Sequence, residues 1–244
     1  MLDTLARARD VGRTLDLSGC VYGPPHWEGG FCNVGGGYYE LLAGLVRMHG
    51  FTRVCELGTH YGGATSALAR GFAGAGRLVT VDVTALENPA LVDARIERVQ
   101  GDVFAARVVD DVAGRFDGPV DLLFVDIVHG YHQTKRALGL YANRLRPRLV
   151  VLDDIRLNGG MRALWAELAA RHACVDASEI TDRGGAGFGV LMPRLPLDEG
   201  DRWRAPLWAL RREVAVRTPY SVKRQIGRAL DALPARVRKL LDPS

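Results

Sequence analysis

Six acidic residues stand at the ends of five short apolar runs: Glu56, Asp82, Asp102, Asp126 and the pair Asp153–Asp154. Aspartate commonly caps helices and starts turns, so one such position is ordinary. Five strand ends in register are more than a sheet requires for its own sake. The first run leads into Glu56-Leu57-Gly58-Thr59-His60-Tyr61-Gly62-Gly63-Ala64-Thr65. Glycines there let the backbone turn sharply and approach a ligand. The free N–H groups of the following helix can meet a pyrophosphate or a carboxylate. Asp82 is placed to accept both hydroxyl protons of a ribose, and Gly101-Asp102-Val103 to border an adenine. The G-x-G-x-x-G spacing of a nicotinamide dinucleotide site is absent.

A second group follows the fourth and fifth runs. Asp126, Asp153 and Asp154 would lie on adjacent strand ends, and crowded carboxylates need a cation or a proton between them. An oxygen-only donor set suits a hard cation, Mg²⁺ first, with water and substrate hydroxyls completing about six positions. His129, three residues beyond Asp126, is of a type that takes a proton near neutral pH. His60, His132 and His26 are lesser candidates for substrate contact.

Regular elements must hold these residues in one row. Arg53–Leu57, Leu78–Val81, Ile96–Val99, Leu122–Val125 and Leu149–Leu152 read as strands, with later ones at Cys174–Glu179 and Gly187–Met192. Helical spacing fits Tyr38–Met48, Ala64–Phe72, Asn88–Ala94, Val103–Val112, Gln133–Leu145 and Gly160–Arg171. The alternation predicts a Rossmann-like α/β fold: a seven-stranded, mostly parallel sheet with helices on both faces. Such sheets bind ligands outside the carboxyl ends of their strands. Residues 1–50 are expected to form an N-terminal cap or lid segment and a helix, 51–193 the cofactor-binding catalytic domain, and 194–244 a basic amphipathic helical tail.

The stretch Glu56 to Thr65, with Asp82 and Asp102 at the next two acidic positions, resembles the first motifs of class I S-adenosylmethionine (SAM) methyltransferases. The resemblance implies SAM bound by Glu56, Gly58, Thr59, Gly62, Asp82, Asp102 and Val103. Over about residues 35–193 the chain also resembles a narrower group, the metal-dependent O-methyltransferases of the macrocin, mycinamicin and cephalosporin hydroxylase-like kind. Catechol methyltransferases are more distant relatives. The narrower likeness rests on Gly58-Thr59 with Gly62-Gly63, on Asp126 with His129, and on Asp153-Asp154. It implies Asp126, Asp153 and Asp154 as ligands of Mg²⁺ or a similar cation and His129 as general base. The implied reaction is O-methylation of a sugar hydroxyl on a glycoside, a glycosylated natural product or a bacterial polysaccharide, with a catechol-type acceptor as the alternative. Ile127 stands where that group usually has Gly, and Pro147-Arg148 where it has Pro-Gly-Gly; neither departure removes a ligand.

Composition bounds the remaining classes. At 48% hydrophobic and 25% charged residues the chain reads as globular and not disordered. The net charge of +4 comes from the tail, where residues 202–244 hold eleven Lys/Arg against three Asp/Glu. Tail apolar residues at helical spacing, among them Val222, Ile226, Leu230 and Leu233, predict packing on the domain or on a second copy, or contact with an anionic surface, and a homo-oligomer, most simply a dimer, is expected through the N-terminal segment or this tail. A nucleic-acid partner is not expected, because Asp126-Ile127-Val128-His129 is unlike the Asn/Asp-Pro-Pro-Tyr pattern of base methylation. No apolar run is long enough to span a bilayer and no leader is evident, which predicts a cytoplasmic protein. Cys20, Cys32, Cys55 and Cys174 form no C-x-x-C pair and read as reduced thiols. The loop 19–37, with Tyr22, His26, Trp27 and Phe31, reads as a lid or strap.

Overall fold

The computed structural model describes residues 1–20, 37–84, 91–182 and 185–197. Most of the 19–37 loop, with His26, and the basic tail beyond residue 197 lie outside the described residues. In chain order the elements are α1 (Leu2–Arg13), α2 (Gly37–His49), β1 (Arg53–Leu57), α3 (Gly63–Gly71), β2 (Arg77–Asp82), β3 (Ile96–Gln100) and α4 (Ala106–Gly114). They continue as β4 (Leu122–Val125), α5 (Tyr131–Leu145), β5 (Leu149–Asp153), α6 (Gly159–Arg171), β6 (Ala173–Asp176) and β7 (Phe188–Met192). The described strands make one sheet in the order β3-β2-β1-β4-β5-β7-β6. It is parallel from β3 to β5, and β7 runs antiparallel to both of its neighbours.

Strand side chains alternate between two buried faces, as a sheet covered on both sides requires. Cys55, Leu57, Val79, Val81, Leu123, Val125, Val150 and Leu152 share a core with α4, α5 and α6. Val54, Leu78, Leu122, Phe124, Val151 and Phe188 share the other with α1, α2 and α3. Helices α1 and α2 are thus part of the main core. Helix α1 was not foreseen, since its few apolar positions are scattered among charges. It seats on α2 by close backbone approach: a Cβ on Gly44 would lie 1.7 Å from the Ala8 carbonyl oxygen.

Three expected elements change. The helix expected over Asn88–Ala94 is not formed where it is described, at 91–94. There Asp93 accepts the Arg95 amide at 2.9 Å and pairs with its guanidinium at 2.7 Å, making a turn into β3. Helix α4 begins at Ala106 and not at Val103, because Asp102 Oδ1 takes the Phe104 amide at 2.9 Å in a turn of its own. Strand β6 ends at Asp176, whose carboxylate takes the Ser178 amide at 3.0 Å; a 3-10 turn, Glu179–Thr181, follows.

Candidate functional site

Strand order reverses between β1 and β4, which opens a crevice at their carboxyl ends. Gly58 turns the chain there at φ +95°, and a Cβ on it would lie 1.7 Å from the Asp126 carbonyl oxygen. Only glycine permits that backbone contact. It fixes the turn after β1 against the turn after β4, so the two candidate groups of residues share one wall. Gly62, at φ +86°, caps α3 and packs under the Leu91 side chain.

Glu56 lies beneath this turn, fully buried. Its register partner on β2 is Thr80, and Thr65 reaches it from α3. Both hydroxyls donate to Oε2, at 2.6 and 2.5 Å. Since Thr80 spends its proton on Glu56, Thr59, 2.6 Å away, donates to Thr80. Oε1, although buried, has no hydrogen-bond partner among the described residues. Burial raises the Glu56 carboxyl to about 7, with Asp82 adding to the rise and the two threonine bonds opposing it. Asp82 itself accepts the His60 amide and the Thr84 amide, each at 2.8 Å, one per oxygen. His60 is exposed and adopts a left-handed φ of 44°. Asp102 is exposed and Val103 buried beside it.

Across the crevice, His129 stands between two of the predicted aspartates. Its Nε2 is 3.1 Å from Asp154 Oδ2 and 3.6 Å from Asp126 Oδ1. Asp153, the last residue of β5, is buried. Together with Asp126 it adds to the upward push that burial and Tyr39 give the Tyr38 phenol. The three carboxylates are an oxygen donor set of the type a hard cation takes. As they stand, two of them turn to His129, and no three acidic or histidine side chains among the described residues form a metal-holding group. His132 packs edge-on against Tyr131.

Residues 55–155 match the family model of a methyltransferase domain. The matched stretch spans Glu56, Asp82, His129 and all three aspartates. An O-methyltransferase from Bacillus cereus in complex with S-adenosylhomocysteine (SAH) has a similar fold, with a TM-score of 0.53 at 20% identity over 78% of this chain and 91% of that one. Cofactor-bound Rv0187 from MTB is similar at a TM-score of 0.50 and 23% identity, over 80% of this chain and 91% of that one. No curated protein matches the chain in sequence. At these identities the likeness speaks for the fold alone, a Rossmann-like seven-stranded, mostly parallel sheet covered by helices. No described helix is long and apolar enough to cross a membrane.

Sequence reasoning missed four polar residues of the site. Thr80 had a signal, a polar side chain sharing a strand face with Leu78 and Asp82. Thr65 is a buried hydroxyl in the first turn of α3. Asn158 precedes Gly-Gly and a helix, the position of an N-cap. Tyr38 was assigned to its helix without a role, since nothing in the helical pattern shows that the start of α2 meets the carboxylates of β4 and β5.

Proposed function

We propose that this methyltransferase domain transfers the methyl group of SAM to a hydroxyl oxygen. The proposed acceptor is a sugar of a glycoside or saccharide, and the proposed cation, Mg²⁺, is held by Asp126, Asp153 and Asp154. One observation carries the reading: a buried, half-satisfied Glu56 beside Asp82 on one lip of the crevice, and His129 held by two aspartates on the other. SAM brings a methyl on a sulfonium, already a good electrophile, so the protein must align an oxygen behind it and make that oxygen nucleophilic. Glu56 Oε1 suits the positive end of the ligand. Asp82 keeps lone pairs for two ribose hydroxyls after its two amide bonds. A bound SAM would supply the methyl carbon to the acceptor oxygen and would leave with the C–S electron pair on sulfur. The hydroxyl proton passes to the His129 imidazole, and Asp154 stabilises the imidazolium formed. A divalent cation supplies a lower hydroxyl pKa and orients neighbouring oxygens.

The test uses SAM with a labelled methyl group, a set of methyl glycosides and catechol, with Mg²⁺ or with EDTA. Glycoside methyl ethers are expected with Mg²⁺ and none in EDTA, read by mass spectrometry. Undiminished transfer in EDTA removes the cation from the account. Transfer to catechol alone moves the acceptor to the alternative class.

A further inference from the structure

One short loop reaches His129 from two directions. Residues 154–158 join β5 to α6 and begin with Asp154 at a left-handed φ of 58°. Asp154 meets the His129 ring at Nε2. Four residues later Asn158, 9% exposed, meets the same histidine at its main chain. Asn158 Nδ2 donates to the His129 carbonyl at 2.8 Å, and Oδ1 accepts the Met161 amide at 3.0 Å, capping α6. The loop between is closed by the Leu157 amide on the Asp154 carbonyl at 3.1 Å. On the histidine side, the Gly130 amide donates to the Val128 carbonyl at 3.0 Å. Behind both loops Gly160 lets α6 approach α5 closely, where a Cβ would sit 3.3 Å from the Tyr131 amide nitrogen.

We infer that Asn158 is a positioning residue for His129: its single amide ties the start of α6 to the histidine's main chain and so keeps the ring on Asp154. Capping alone gives no reason for an amide, since Ser, Thr and Asp cap as well. Asparagine both accepts the helix N–H and donates to a carbonyl across the gap. The inference rests on the proposed role of His129, and the test separates the two.

Asn158→Asp keeps the acceptor for the Met161 amide and removes the donor to His129. In full-length protein with isotope-labelled histidine, the His129 ring signals are assigned by their loss in His129→Ala. Those signals are expected to shift or broaden in Asn158→Asp while the melting temperature stays close to that of the unmutated protein. Asn158→Ala loses both bonds and is expected to show the same signal change with a lower melting temperature. Turnover of the glycoside or catechol probe is expected to fall roughly 10–100-fold in Asn158→Asp, the scale for a misplaced catalytic group. SAM affinity should hold, and the loss should vanish in a His129→Ala background. Unchanged His129 signals in Asn158→Asp overturn the inference and leave a helix cap. Full turnover in His129→Ala overturns the base assignment instead, with the ring signals still deciding the clamp.

Discussion

Replacing Glu56 by glutamine should change how stability depends on pH. The side chain is fully buried, and its carboxyl is raised from 4.5 to about 7. With the folded value above the unfolded one, the stability this group contributes is full below about 4.5. It is lost as pH rises through about 7. Between pH 5 and pH 8 that loss is about 2–3 kcal/mol at 1.36 kcal/mol per pH unit. Glutamine has nearly the same shape and no proton to lose. Urea unfolding of both proteins at the two pH values isolates the effect, because the other titrating groups are common to both. The Glu56→Gln protein is expected to gain about 2–3 kcal/mol relative to the unmutated one on going from pH 5 to pH 8. Parallel stability profiles would refute the account of Glu56 as a buried carboxyl whose pKa is raised beneath the glycine turn.

Gly58→Ala places a Cβ 1.7 Å from the Asp126 carbonyl oxygen at a φ of +95°; a loss of at least about 2 kcal/mol is expected in urea unfolding, with cofactor binding impaired in what folds. His129→Ala should lower turnover by roughly 10²–10⁴-fold, as for a general base, with SAM affinity unchanged in calorimetry. The chain is expected to form a dimer, and light scattering that reports a monomer at micromolar concentration would count against it.

The parallel strands were legible because β1, β2, β4 and β5 are short apolar runs, each closed by a carboxylate. The helices of the βαβ units followed from 3.6-residue spacing. What stayed hidden depends on contacts distant in sequence. Helix α1 is set by backbone contact at Gly44, and no periodicity announces that. The 91–94 turn is an Asp93–Arg95 interaction that overrides a weak helical pattern. At the site, Glu56, Asp82, Asp126, His129 and Asp154 were named from their places after strands, and the structure puts the last three in contact. Their partners were not legible. Thr65 and Thr80 matter only because α3 and β2 converge on Glu56, and Asn158 only because α6 begins beside the His129 loop.

The central claim is that the β1–β4 crevice of this domain binds SAM, with Asp82 on its ribose. Calorimetric titration with SAM and SAH, on the unmutated protein and on Asp82→Ala, tests it most directly. The account predicts binding at one site per chain and a loss of affinity on the order of 10–100-fold in the variant, the scale of a hydrogen bond to a charged group. An unmutated protein that binds neither ligand, or an Asp82→Ala variant that binds as tightly as its parent, would contradict it.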